Sequence, residues 1–224
     1  MSFKIEKYNE IRKYIGDYSK NTDIFPVKII AVTKTQPVET IKAAIKSGII
    51  HFGENKVQEA YNKFKNLKIV HQSIYLHMVG PLQTNKVKKA LEIFDFFHSL
   101  DRQSLALGFA KYPKITQQKS FFIQVNTGSE KQKSGILSNL ASEFIQYCIH
   151  TLKLNVVGLM CLPPIDDDPK SHFLILKELA IRNKLKHLSM GMSSDYEIAI
   201  NNGATFIRIG SFLFGDRKNE LHWY

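Results

Sequence analysis

Between residues 28 and 211 the sequence alternates a short apolar run with a longer amphipathic one, eight times in succession. The short runs, at 28–32, 49–53, 74–79, 96–100, 121–125, 155–161, 187–190 and 205–209, are rich in β-branched and aromatic residues. Runs of that length and composition read as buried strands, and the apolar spacing between them reads as helix. Unbroken strand–helix alternation demands parallel strands, because each helix carries the chain back to the edge where the last strand began. Eight such units are the number that closes into a (β/α)8 TIM barrel of the α/β class. A doubly wound open sheet is the alternative; near-identical unit lengths favour the closed barrel. Ile5, Tyr8, Ile11 and Ile15 add a leading helix over residues 2–20, and no linker or composition shift divides residues 1–224 into more than one domain.

Hydrophobic residues make up 44% and charged residues 23% of the 224, the balance of a globular protein with a substantial core. The N-terminus is amphipathic and mixed in charge, unlike a signal peptide, and no window is apolar for long enough to span a bilayer. A cytoplasmic location and no membrane partner are therefore expected. Cys148 and Cys161 have no metal-ligand spacing and read as reduced thiols in or near the core. The net charge of +11 raises nucleic acid as a partner. Its lysines are scattered, however, and the densest cluster, Lys86, Lys88 and Lys89, reads as a solvated helix face. Nucleic acid is thus not the expected partner, and neither is a metal.

The segment AVTKTQP places Lys34 where the first strand stops, just before a helix opened near Pro37. Parallel strands line up their carboxyl ends on one rim, where barrels bind ligands. Lys34, Glu54, Asn55, Gly80, Asp101, Asn126, Ser193, Gly210 and Ser211 all fall at such ends. A lysine amine in a pocket forms a Schiff base with an aldehyde when its surroundings keep part of it unprotonated. Ser193-Ser194 and Gly210-Ser211, after the last two strands, offer backbone N–H groups and close approach to a phosphate. An aldehyde that carries a phosphate, pyridoxal 5'-phosphate, meets both demands. Arg208 lies inside the eighth strand, where a charge is costly unless paired or facing a ligand. Facing the pyridine nitrogen, it could only donate a hydrogen bond, which keeps that nitrogen unprotonated and the ring a poor electron sink. His77 has two readings on spacing alone, a pocket wall and a satisfied core histidine. Isolated, a lysine or a serine at a helix start would be a surface residue or a cap; their convergence favours a site.

AVTKTQP, FGENKVQEA, LHMVGPLQTNKVK, HSLD, QVNTGSEKQKSG, GLMCLPP, LSMGMSSDYEIAI and IRIGSFLFG, in this order, closely resemble the pyridoxal phosphate homeostasis proteins, the YggS and PROSC family. The resemblance spans about residues 28–215. It implies a barrel like the N-terminal domain of alanine racemases, with Lys34 as the Schiff-base lysine and Asn55 and His77 near the ring. It also implies that Ser193, Gly210 and Ser211 hold the phosphate and that Arg208 lies near the pyridine nitrogen. Leu76 departs from a common aromatic and Ser211 from a common threonine. The function implied is a non-catalytic carrier in vitamin B6 homeostasis, with apo pyridoxal-phosphate enzymes as recipients and a monomer preferred. A pyridoxal-phosphate-dependent amino-acid racemase is the alternative. Racemisation needs acid/base groups on both faces of the substrate carbon, and alanine racemases take one from a second, all-β domain. The chain ends at Tyr224, about where the barrel is complete, so such a domain is not expected.

Overall fold

The computed structural model describes residues 3–20, 26–130 and 132–215. In chain order its strands are β1 (Lys28–Val32), β2 (His51–Glu54), β3 (Tyr75–Met78), β4 (Phe96–Leu100), β5 (Ser120–Asn126), β6 (Ile136–Leu137), β7 (Val156–Cys161), β8 (His187–Ser189) and β9 (Phe206–Ile209). They form a parallel sheet in the order β4-β3-β2-β1-β9-β8-β7-β5-β6, and a further pairing of β4 with β5 joins its ends into a closed barrel. An open doubly wound sheet would lack that pairing, so the open-sheet alternative is excluded. The short β6 hangs outside the ring, paired to β5 through Val125 and Ile136.

The helices are α1 (Ile5–Ser19), α2 (Val38–Lys46), α3 (Val57–Val70), α4 (Val87–Ile93), α5 (Gln103–Ala110), α6 (Pro113–Thr116), α7 (Ala141–Gln146), α8 (Pro169–Arg182), α9 (Tyr196–Asn201) and α10 (Ser211–Phe214). A 3-10 turn at Thr84–Lys86 leads into α4, and a π turn at Tyr147–Thr151 prolongs α7. The leading helix expected over residues 2–20 appears as α1; residue 2 lies outside the described residues. α8 starts as its sequence dictates. The Asp168 carboxylate accepts from the Lys170 N–H at 3.1 Å, and Pro169, which has no N–H to orphan, takes the first turn.

Alternate strand residues separate the core into two layers. Phe52, Phe64, Phe97, Phe109 and Phe121 fill the space between sheet and helices, all at 0–1% exposure. Ile30, Phe122, Met160 and Phe206 form a separate apolar cluster. Arg208 shares the β9 face of Phe206, and His77, His98 and Ser189 are buried beside this cluster. Both thiols are buried and free, and burial pushes each up to about 12, so they stay protonated at neutral pH. Among the described residues no helix is long and apolar enough to cross a membrane.

Two segments take local shapes set by tertiary contacts. The chain after residue 135 forms β6 before the helix that begins at Ala141, because Gly135 turns it back onto β5. Its φ is +124°, and a side chain there would put Cβ 2.8 Å from the Asn126 nitrogen, so only glycine closes this loop. Asp101 does not cap α5. Its carboxylate pairs with Arg102 Nη1 at 2.6 Å, and no side-chain cap forms at that helix.

Candidate functional site

At the carboxyl ends of the strands lies a cavity of about 540 Å³ lined by Lys34, Asn55, Ser193, Arg208, Gly210 and Ser211, together with Val32, Val79 and Leu162. Arg208 pairs in register with Ile30, while Lys34 follows the end of β1 on the neighbouring strand. The guanidinium therefore belongs to the floor and the amine to the wall above it. Asn55 is brought close to the end of β3 by Gly80: a Cβ on residue 80 would lie 2.8 Å from the Asn55 Cα. Ser193 Oγ accepts from the Phe212 N–H at 3.4 Å, which ties the turn after β8 to the turn after β9. A Cβ at Gly210 would sit in ordinary contact with Val32, 3.7 Å from its Cβ and its carbonyl oxygen.

Lys34 is held by its neighbours. Thr33 Oγ1 donates to Glu54 Oε1 at 2.7 Å, and Lys63 Nζ donates to the Thr33 carbonyl at 2.7 Å and to Glu54 at 2.9 Å. Glu59, one helical turn before Lys63, accepts from the Thr35 N–H at 2.6 Å. Thr35 is pinned in the left-handed region at φ 65°, which a β-branched residue occupies only under restraint. Both residues flanking Lys34 are thus fixed from α3. This support is absent from the sequence reading, although Glu59 and Lys63 stand at the i,i+4 spacing of a helical ion pair.

Arg208 is almost fully buried. Its Nη1 donates to Ser189 Oγ at 2.9 Å and its Nη2 to the Cys161 carbonyl at 3.0 Å. Among the described residues it forms no ion pair. Burial pulls it below its usual value, opposed by the neighbouring Cys161 and Asp195, yet a guanidinium keeps its proton in proteins.

His77 does not line the cavity. Its ring is fully buried one layer below, with nitrogens 2.9 Å from His51 and 2.9 Å from His98, and it stacks on Phe96 at 4.4 Å. Of the two readings of this residue, the geometry matches the satisfied core histidine.

Three other rim residues turn away. Glu54 faces α3, Asp101 pairs with Arg102, and Asn126 Nδ2 donates to the Glu130 carbonyl at 2.8 Å within its own loop. Burial raises Glu54 against the pull of Lys63, and among the described residues its Oε2 has no hydrogen-bond partner. All three sit at strand ends, and none is among the residues that line the cavity.

The histidines make stability fall in acid. Burial, reinforced by Lys28 and opposed by Asp95, pushes His51 from 6.5 down to about 4. Unfolded, the same imidazole takes a proton near 6.5, so the unfolded chain binds more protons between those two values. Stability is complete above 6.5 and declines as pH falls towards 4, by roughly 3 kcal/mol from His51 alone. Urea unfolding at pH 7 and pH 4 measures the loss. A His51→Asn variant is expected to lose about 3 kcal/mol less than the wild type over that range; an equal loss in both would contradict the assignment.

Comparison with known proteins follows the same lines. Residues 15–218 match the alanine racemase N-terminal domain family. A protein of Aquifex aeolicus named pyridoxal phosphate homeostasis protein is 38% identical over 203 residues, 85% of this chain and 87% of its own. The protein of that name from Escherichia coli K12 is 33% identical over 201 residues, 85% of this chain and 86% of its own. PipY of Synechococcus elongatus PCC7942, solved with PLP bound, superposes at a TM-score of 0.79 with 30% identity, covering 94% of this chain and 99% of PipY. Alanine racemase from Corynebacterium glutamicum shares the fold at a TM-score of 0.69 and 13% identity, the match covering 99% of this chain and 64% of the racemase. A closed barrel, matching motifs along most of its length and relatives above 30% identity agree: the chain belongs to the family of the pyridoxal phosphate homeostasis proteins.

Proposed function

We propose that this protein binds pyridoxal 5'-phosphate as a Schiff base on Lys34 and serves as a non-catalytic carrier that stores the cofactor and delivers it to apo-enzymes. The observation that carries this reading is the character of the cavity. Its described lining holds two cationic side chains, Lys34 and Arg208, and no carboxylate. A buried guanidinium without an anionic partner costs stability that an anionic or acceptor-bearing ligand offsets.

The residues fit the cofactor in its parts. The Lys34 amine can add to an aldehyde with loss of water, a link that hydrolysis reverses. Arg208, with two of its N–H groups committed to Ser189 and Cys161, has the remaining donors for a ring nitrogen. The space beside Gly210, flanked by Ser193 and Ser211, suits a phosphate. Bound there, the cofactor would supply a reactive aldehyde whose ring nitrogen, held by a donor that keeps its proton, stays unprotonated. The relatives named for pyridoxal phosphate homeostasis, and PipY solved with PLP, support the same reading.

The test is transfer. Protein loaded with pyridoxal phosphate and freed of excess by gel filtration is mixed with an apo-aminotransferase, and recovery of its activity is followed. Restored activity is expected, with no racemisation of alanine above that given by free cofactor. Failure to retain the cofactor through filtration would overturn the binding reading. Racemisation above the background would replace the carrier with the racemase.

A further inference from the structure

The barrel interior carries a continuous line of side-chain hydrogen bonds that reaches from the pocket towards the opposite end. Arg208 Nη1 lies 2.9 Å from Ser189 Oγ, and Ser189 Oγ lies 2.8 Å from His98 Nδ1. His98 Nε2 lies 2.9 Å from His77 Nδ1, and His77 Nε2 lies 2.9 Å from His51 Nδ1. Ser189, His98 and His77 are all at 0% exposure. His51 borders a second cavity of about 280 Å³, beneath α1 at the amino ends of β1 and β2. The line thus joins two faces of the barrel through groups that do not touch the pocket, apart from Arg208 itself.

The chemistry of its ends gives the line a direction. Arginine has donors only, so Ser189 Oγ must accept from Arg208. Among the described residues His98 is the hydroxyl's one other partner, and a fully buried hydroxyl is satisfied only if its hydrogen goes to His98 Nδ1. His98 must then carry its proton on Nε2 and donate to His77 Nδ1. The same reasoning makes His77 donate from Nε2 to His51 Nδ1, and leaves the His51 proton on Nε2. All three rings must be neutral for this order to hold. Burial lowers all three, and the charges of Arg208 and Lys28 reinforce it.

We propose that Ser189, His98, His77 and His51 are positioning residues that form one hydrogen-bonded line, polarised by Arg208, and fix the guanidinium at the pocket floor. The effect on cofactor rests on the reading that Arg208 meets the ring; the order of protons along the line does not. Loss of the Ser189 hydroxyl would leave one arginine donor and His98 Nδ1 unpaired, and both tautomers of the histidines would become accessible.

The test uses the full chain labelled with ¹⁵N-histidine, without cofactor, at neutral pH. Long-range proton–nitrogen spectra report the tautomer of each ring, with single histidine variants for assignment. Neutral rings with the proton on Nε2 are expected at His51, His77 and His98. In Ser189→Ala the nitrogen signals of His77 and His51 are expected to move as well as those of His98, and Ser189→Thr, which keeps the hydroxyl, restores them. Protons on Nδ1 in the wild type, or a Ser189→Ala effect confined to His98, would overturn the line. The wild-type spectrum decides the first point even if the alanine variant does not fold. Titration with pyridoxal phosphate then separates the two readings: Ser189→Ala is expected to bind about tenfold more weakly, with Ser189→Thr near the wild type. Equal affinity in all three would overturn the positioning role, whereas a wild type that binds no cofactor would sink the proposed function and leave the proton order standing.

Discussion

Replacing Lys34 by alanine is expected to abolish covalent attachment of pyridoxal 5'-phosphate completely while leaving a weaker, reversible complex. The covalent link needs an amine at the cavity wall, and within the described lining Lys34 is the residue that has one. On the proposed reading, Arg208 and the turns at Ser193 and Gly210-Ser211 would remain to hold ring and phosphate. The fold is expected to survive. The pins on either side of Lys34 run from Thr33 and Thr35 to Glu54, Glu59 and Lys63, and none of them uses the Lys34 side chain. Absorbance titration followed by mass spectrometry of the reduced complex reads both parts. A stable adduct on the variant would mean that another lysine serves.

Arg208→Glu is expected to act on fold and ligand together. The arginine donates to Ser189 and to the Cys161 carbonyl from a site at 5% exposure. Glutamate there would set a carboxylate against the Cys161 carbonyl and leave Ser189 Oγ without its donor, at a cost of about 3–5 kcal/mol by the scale of broken buried charge interactions. Chemical denaturation measures that loss. Where the variant stays folded, a carboxylate at the floor would favour a protonated ring nitrogen and repel the phosphate, so weaker binding and a stronger electron sink are expected. Arg208→Lys keeps the charge but not the planar fork, and is expected to fall between the two proteins in stability. A glutamate variant as stable as the wild type would show that the floor is wetter or more open than its burial states.

The barrel was legible because its strands are short, β-branched or aromatic, and evenly spaced; β4 begins and ends where its FFHSL run does. The ends of β2 and β3 moved by one or two residues, since they are fixed by the pairing of His51 with Tyr75 rather than by either segment alone. Lys34 and Arg208 stood out as charges at or inside apolar runs, a conflict that local sequence resolves only through a site. The supports beneath them were not legible. Glu59 and Lys63 reach the β1 end only once α3 lies against it, and no local pattern states that packing. His51, His77 and His98 each point inward by the two-residue period of their strands. Their union with Ser189, ninety-one positions beyond His98, exists only because the barrel closes.

The central claim is a covalent bond at one lysine. Purified protein is mixed with pyridoxal phosphate, reduced with borohydride, digested and mapped by mass spectrometry. A yellow complex whose reduced adduct lies in the peptide carrying Lys34 is the predicted result. No visible complex, or an adduct spread over many surface lysines, would contradict it, and with it the assignment of this cavity to the cofactor.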